Sequence, residues 1–185
     1  MSMNTYPLEA PLAFHVDEQT AAFLLRSSVL AWLREKAHAP NATPTPEQTK
    51  NKAVRAILED DTLFRQAVQP GSEAYDKLND YDLFSVSDAT DLLQHEDIDH
   101  VCYMSEFQGE IQKLDHDGHA TGESISCEDD YVLFILPDKE TSPFRAAYES
   151  MQEFIDEVKN KLSALLPDSF DYASRVVSVS GTYFC

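Results

Sequence analysis

The segment Asp115-His116-Asp117-Gly118-His119 sets two carboxylates and two imidazoles within five residues, the donor types that hold divalent metals. Its spacing departs from a calcium loop. Counted from Asp115, glycine arrives two places early, and Ser126 stands where a bidentate glutamate is needed. An exposed turn running to Gly122 is the expectation, because aspartate and glycine accept the positive φ of tight turns. A zinc set can be assembled from His100 and Cys102, which share one strand face at a spacing of two, with Cys127 and His116 or His119. The spacings that mark zinc sites (C-x-x-C, H-x-x-x-H and H-E-x-x-H) are absent. No metal and no other cofactor is therefore expected. His100, Cys102, His116 and His119 are the residues at which a metal would have to sit.

Nucleophilic chemistry has little support. The chain has no G-x-S-x-G, no P-loop and no G-x-G-x-x-G, and its 5 glycines leave few places for backbone to cradle a phosphate. Cys102 or Cys127 becomes a nucleophile only if folding brings a histidine beside it. Paired carboxylates abound, as in Glu59-Asp60-Asp61 and Glu128-Asp129-Asp130. Acid–base catalysis needs two carboxyls in unlike environments, which spacing alone does not supply. The expectation is a protein without catalysis. Metal-assisted hydrolysis at His100, Cys102, His116 and His119 is the enzymatic alternative.

Charge is the chain's most informative property. The 33 acidic and 14 basic residues leave a net charge of −19. Residues 71–140 carry 19 of the acidic side chains against Lys77, Lys113 and Lys139, a net −16. Such an excess repels phosphate and anionic lipid and favours cationic partners. Within it, Asp80, Asp82, Glu96, Asp97, Asp99, Glu128, Asp129 and Asp130 are candidate contacts for a basic protein, with Tyr81 and Tyr103 as anchors. That partner is either a nucleic-acid-binding protein, occupied as if by DNA, or a cationic toxin met by its immunity protein. Direct nucleic-acid or membrane binding is not expected. The competing expectation is a structural subunit of a phage or mobile-element assembly, able to form homo-oligomers through an exposed last strand, residues 175–185.

The elements that must hold these residues follow from periodicity. Residues 17–36 carry Ala22, Leu25, Val29, Trp32 and Leu33 at helical spacing, with Phe23, Leu24 and Leu30 widening the stripe. Thr45-Pro46-Glu47-Gln48 has the form of a capping box and opens a helix expected to continue through Val54, Leu58, Phe64 and Val68. A short helix over residues 72–78 and another from Ser87 are expected next. Residues 101–107 alternate as a strand, with residues 109–114 as its hairpin partner. Tyr131 to Leu136 is continuously apolar, as in a central strand covered on both faces. Ser142-Pro143 is expected to cap a long amphipathic helix reaching Leu165, and residues 175–184 alternate as a last strand. The pattern is α+β: N-terminal helices, then an antiparallel meander, one long helix and a final strand, in one domain of 185 residues that is mainly helical to residue 98.

The first residues lack the basic and apolar regions of a signal peptide, and no apolar run is long enough to span a bilayer. Three cysteines, Cys102, Cys127 and Cys185, have no framework spacing and suit a reducing compartment. The expected location is the cytoplasm.

Overall fold

A computed structural model describes residues 5–36, 46–69, 72, 78, 84–95, 100–103, 107–126, 131–134, 148 and 150–184. The fold is α+β, with helices and one antiparallel sheet of six strands. The elements are β1 (Thr5–Val16), α1 (Glu18–Lys36), α2 (Pro46–Glu59), α3 (Asp61–Ala67), α4 (Val86–His95), β2 (His100–Tyr103), β3 (Phe107–Leu114), β4 (Ala120–Ser124), β5 (Tyr131–Phe134), α5 (Met151–Leu162) and β6 (Val176–Phe184). They fall into two compact units, one of Met1–Asp17 with Thr90–Cys185 and one of Glu18–Ala89.

The sheet unit holds its strands in the order β2-β5-β1-β6-β3-β4. A strand precedes the helices, and it lies in the interior of the sheet between β5 and β6. Pro7 and Pro11 disguise it in the sequence, because proline cannot donate to a ladder. The register with β6 shifts between Ala10 and Ala13, so the irregularity absorbs Pro11, while Pro7 sits opposite Thr182. Leu12, Ala13, Phe14, His15 and Val16 are all buried, so both faces of this half of β1 are covered. Among the described strands, consecutive ones are neighbours only at the β3–β4 hairpin. The meander expected from local pairing is therefore replaced by long-range pairing. β2 joins β5, with Val101 opposite Leu133, and β3 joins β6, with Ile111 opposite Val179.

Buried Val132 and Leu133 fit the interior position expected for β5. The core of the unit adds α5, whose Met151, Phe154, Ile155, Val158 and Leu162 form the expected buried stripe. This helix starts later than the sequence suggests. Ser150 is its N-cap, extended in backbone, and its side chain accepts the Glu153 amide at 3.2 Å. Residues 141–147, where the cap had been expected, lie outside the described set. Beyond α5, Phe170 and Tyr172 stack edge to face at 5.1 Å and both approach Phe14 of β1. Asp17 and Arg175, where the chain leaves β1 and enters β6, form a half-buried ion pair at 2.8 Å.

In the helical unit, residues 20–25 of α1 are buried without interruption, as the widened apolar stripe predicts. The helix expected from Pro46 to Val68 is two helices. Asp60 breaks it with an extended backbone, and its carboxylate accepts the Leu63 amide at 2.9 Å, capping α3. Arg26 of α1 secures the break. Its Nε donates to the Leu58 carbonyl at 3.0 Å, its Nη1 to Asp61 at 2.6 Å, and its guanidinium lies 4.4 Å from the Phe64 ring centre. Ser85 accepts the Asp88 amide and opens α4 one residue before the expected start. Thr45 and residues 73–77 lie outside the described set, with the capping box and short helix expected there.

Candidate functional site

The acidic contacts named from the sequence, Asp80, Asp82, Glu96, Asp97, Asp99, Glu128, Asp129 and Asp130, lie outside the described residues, as does Tyr81. Tyr103 ends β2, in register with Tyr131. What is described is where the strands beside these segments begin. His100 follows residues 96–99, and Tyr131 follows residues 128–130. The two stand at opposite ends of the β2–β5 ladder, since His100 pairs with Phe134 and Tyr131 with Tyr103. Three residue steps, or about 10 Å, separate them along the strands.

The zinc set is dispersed. His100 and Cys102 belong to β2 at one edge of the sheet, and His116 and His119 to the β3–β4 turn at the other. Four strand spacings lie between β2 and β3, roughly 19 Å, far beyond the reach of one ion. His15 is buried in β1 and level with Cys102, with Val132 of β5 between them in the register. Cys127 lies outside the described residues.

The hairpin tip has the turn geometry expected of it. Asp115 and Gly118 close a four-residue turn, and Gly118 at φ 84° continues into the Asp115–His119 pair. The Asp115 carboxylate accepts the amides of both Asp117 and His119 at 2.9 Å. Those amides, His119 foremost, hold its carboxyl below the usual carboxylate range. Ligand atoms of Asp115, His116 and Asp117 come within 4.8 Å of one another. Their closeness follows from adjacency in a turn, and His116 and His119 are 89% and 80% exposed.

The sheet unit also has an open face that the acidic-block reading passed over. Register places Gln108, Glu110 and Gln112 of β3 opposite Thr182, Ser180 and Ser178 of β6, and Ser124 of β4 opposite Gln112. Gln108, Glu110, Ser124 and Ser180 are exposed, whereas Ile111 and Val179, pointing the other way, are buried. The signal was present as the alternation Val177-Ser178-Val179-Ser180. Glu110 accepts the Ser124 hydroxyl at 3.1 Å, which fixes its carboxylate above the strands. On the opposite face, Glu123 is neutralised by Lys113 at 3.0 Å.

The edge contact expected of the last strand does not survive. The last strand is not an edge, because β6 pairs with β1 on one side and β3 on the other. The edge strand β4 is blunted. Gly122 takes φ 82°, and the Thr121 hydroxyl donates to the Lys113 carbonyl and accepts the Glu123 amide.

Charge divides unequally between the two units as well. The sheet unit carries 22 acidic and 6 basic residues, net −16, and the helical unit 11 and 8, net −3. Among the described residues no helix is long and apolar enough to cross a membrane. Comparison with protein-family models, curated proteins and solved structures returned no match.

Proposed function

We propose that the chain is a non-catalytic interaction protein of the cytoplasm whose anionic sheet unit docks a basic protein. The partition of charge supports this reading: the unit built from the two ends of the chain holds −16 of the −19. Concentrating like charge on one compact body costs self-repulsion, and a cationic partner relieves it. Docking begins with electrostatic steering and ends with occlusion of the partner's working surface, as in a DNA mimic or an immunity protein. The structural-subunit alternative drew on an exposed last strand, and with β6 paired on both sides that support is withdrawn.

The test is capture of partners from native lysate at low salt, release by a salt gradient and identification by mass spectrometry. A basic protein released sharply by salt is the expected result and distinguishes a nucleic-acid-binding partner from a toxin. Tight binding that is unchanged across the salt series, or recovery of self-copies alone, overturns the proposal.

A further inference from the structure

Diffuse negative charge attracts any cation, but the open face of the sheet unit has a composition suited to one kind. Glu110 is an exposed carboxylate whose oxygen accepts the Ser124 hydroxyl. Around it in the register stand Ser180 directly opposite, with Gln108, Gln112 and Ser178 beside it, and Glu9 of β1 takes the far side of Ser180. Among the described residues no lysine or arginine stands on this face, the cation of β3 being spent on Glu123 across the sheet. A planar guanidinium satisfies a fixed carboxylate through two parallel hydrogen bonds and still offers donors to flanking hydroxyl and amide oxygens. An ammonium is a point charge that gains less from a flat surface.

We infer that this face is the docking surface for an arginine of the basic partner, with Glu110 as its anchor and Ser180 and Gln112 as flanking acceptors. The inference rests on the proposed function and deepens it. Affinity then has a focal point, in contrast to a field shared evenly among many carboxylates.

The experiment uses the full chain and two short probes, acetyl-Gly-Arg-Gly-Arg-Gly-amide and its lysine counterpart, each titrated while amide chemical shifts are followed by NMR. The arginine peptide is expected to shift the amides of Glu110, Gln112, Ser124 and Ser180 and to bind several-fold tighter than the lysine peptide. Glu110→Gln should weaken it about tenfold, as loss of one charge-assisted contact does. Ser180→Arg, which offers Glu110 an internal guanidinium, should block the site while the carboxylate remains. Salt-sensitive binding whose shifts fall away from β3 and β6, or which Glu110→Gln leaves unchanged, overturns this inference and leaves the proposed function standing. No salt-sensitive binding of either peptide, together with no basic protein captured from lysate, overturns both.

Discussion

Gly109 of β3 and Gly181 of β6 face each other across the ladder, and the ring of Phe107 lies over both. A Cβ on Gly109 would come 2.5 Å from the Phe107 ring and 2.6 Å from the Gly181 Cα, and would also meet the Ser180 carbonyl. The paired glycines thus let one aromatic ring cover two strands. Gly109→Ala is expected to destabilise by about 1–3 kcal/mol through overpacking. Because two of the opposing atoms are backbone, Phe107→Ala should not restore the loss. Urea midpoints of the two single variants and the double variant check this, and full rescue in the double would show that the ring alone imposes the constraint.

Arg26 and Asp61 couple α1 to α3, and the coupling depends on pH. The Arg26 and Arg65 hydrogen bonds hold the Asp61 carboxyl below its usual range. A folded value below the unfolded one means the contribution is complete above the ordinary aspartate range and is lost as pH falls through the lowered value. The carboxylate is well exposed, so added salt should shrink the effect. Asp61→Asn is expected to flatten the acid limb of the stability profile below about pH 4. Unfolding followed from pH 2 to 7 in wild type and variant measures the difference. Superimposable acid limbs would assign the loss to other carboxylates.

Removing the caps should cost what caps usually supply. Asp60→Ala leaves the Leu63 amide without its acceptor and Ser150→Ala does the same to Glu153, each at about 1 kcal/mol. Asp60→Asn should cost far less, because the amide oxygen still accepts. Denaturant titrations of the three variants test the ranking. An Asn variant as unstable as the Ala variant would locate the role of Asp60 in its charge.

At the hairpin, Gly118→Val should be worse than Asp115→Asn. A β-branched residue at φ 84° is strained, whereas asparagine keeps the side-chain oxygen that the two amides need. Hydrogen exchange at His119 reports the effect locally. Equal protection in both variants would show that β4 does not depend on its turn.

Local signals carried much of this fold. The stripe of α1, the stripe from Met151 to Leu162, the Asp-Gly turn and the apolar run of β5 are each set by neighbours in the chain, so the sequence displays them. What was hidden is non-local or masked by competing chemistry. Prolines at 7 and 11 hid an interior strand, and a helix-compatible aspartate at 60 hid a break that becomes evident only when Arg26 reaches across from α1. The choice of Val177 and not residue 103 as a neighbour for β3 lies in pairings nearly 70 residues apart, which no local window contains. The candidate site was half legible. The excess of carboxylates was plain in the sequence, whereas Glu110 was one glutamate among many until its register with Ser180 was known.

The early position of β1 in the chain also sets a timetable. During synthesis this strand leaves the ribosome well before its partners, β5 and β6, which begin at Tyr131 and Val176. Until they emerge, an apolar segment has both edges open while the helices from Glu18 onward have their own partners at hand. Closure over more than a hundred residues is slow compared with helix formation. The newborn chain therefore passes through a period in which a strand with a buried apolar half, Leu12 to Val16, lies open, and the two prolines within that strand are well placed to keep it from sticking to its siblings.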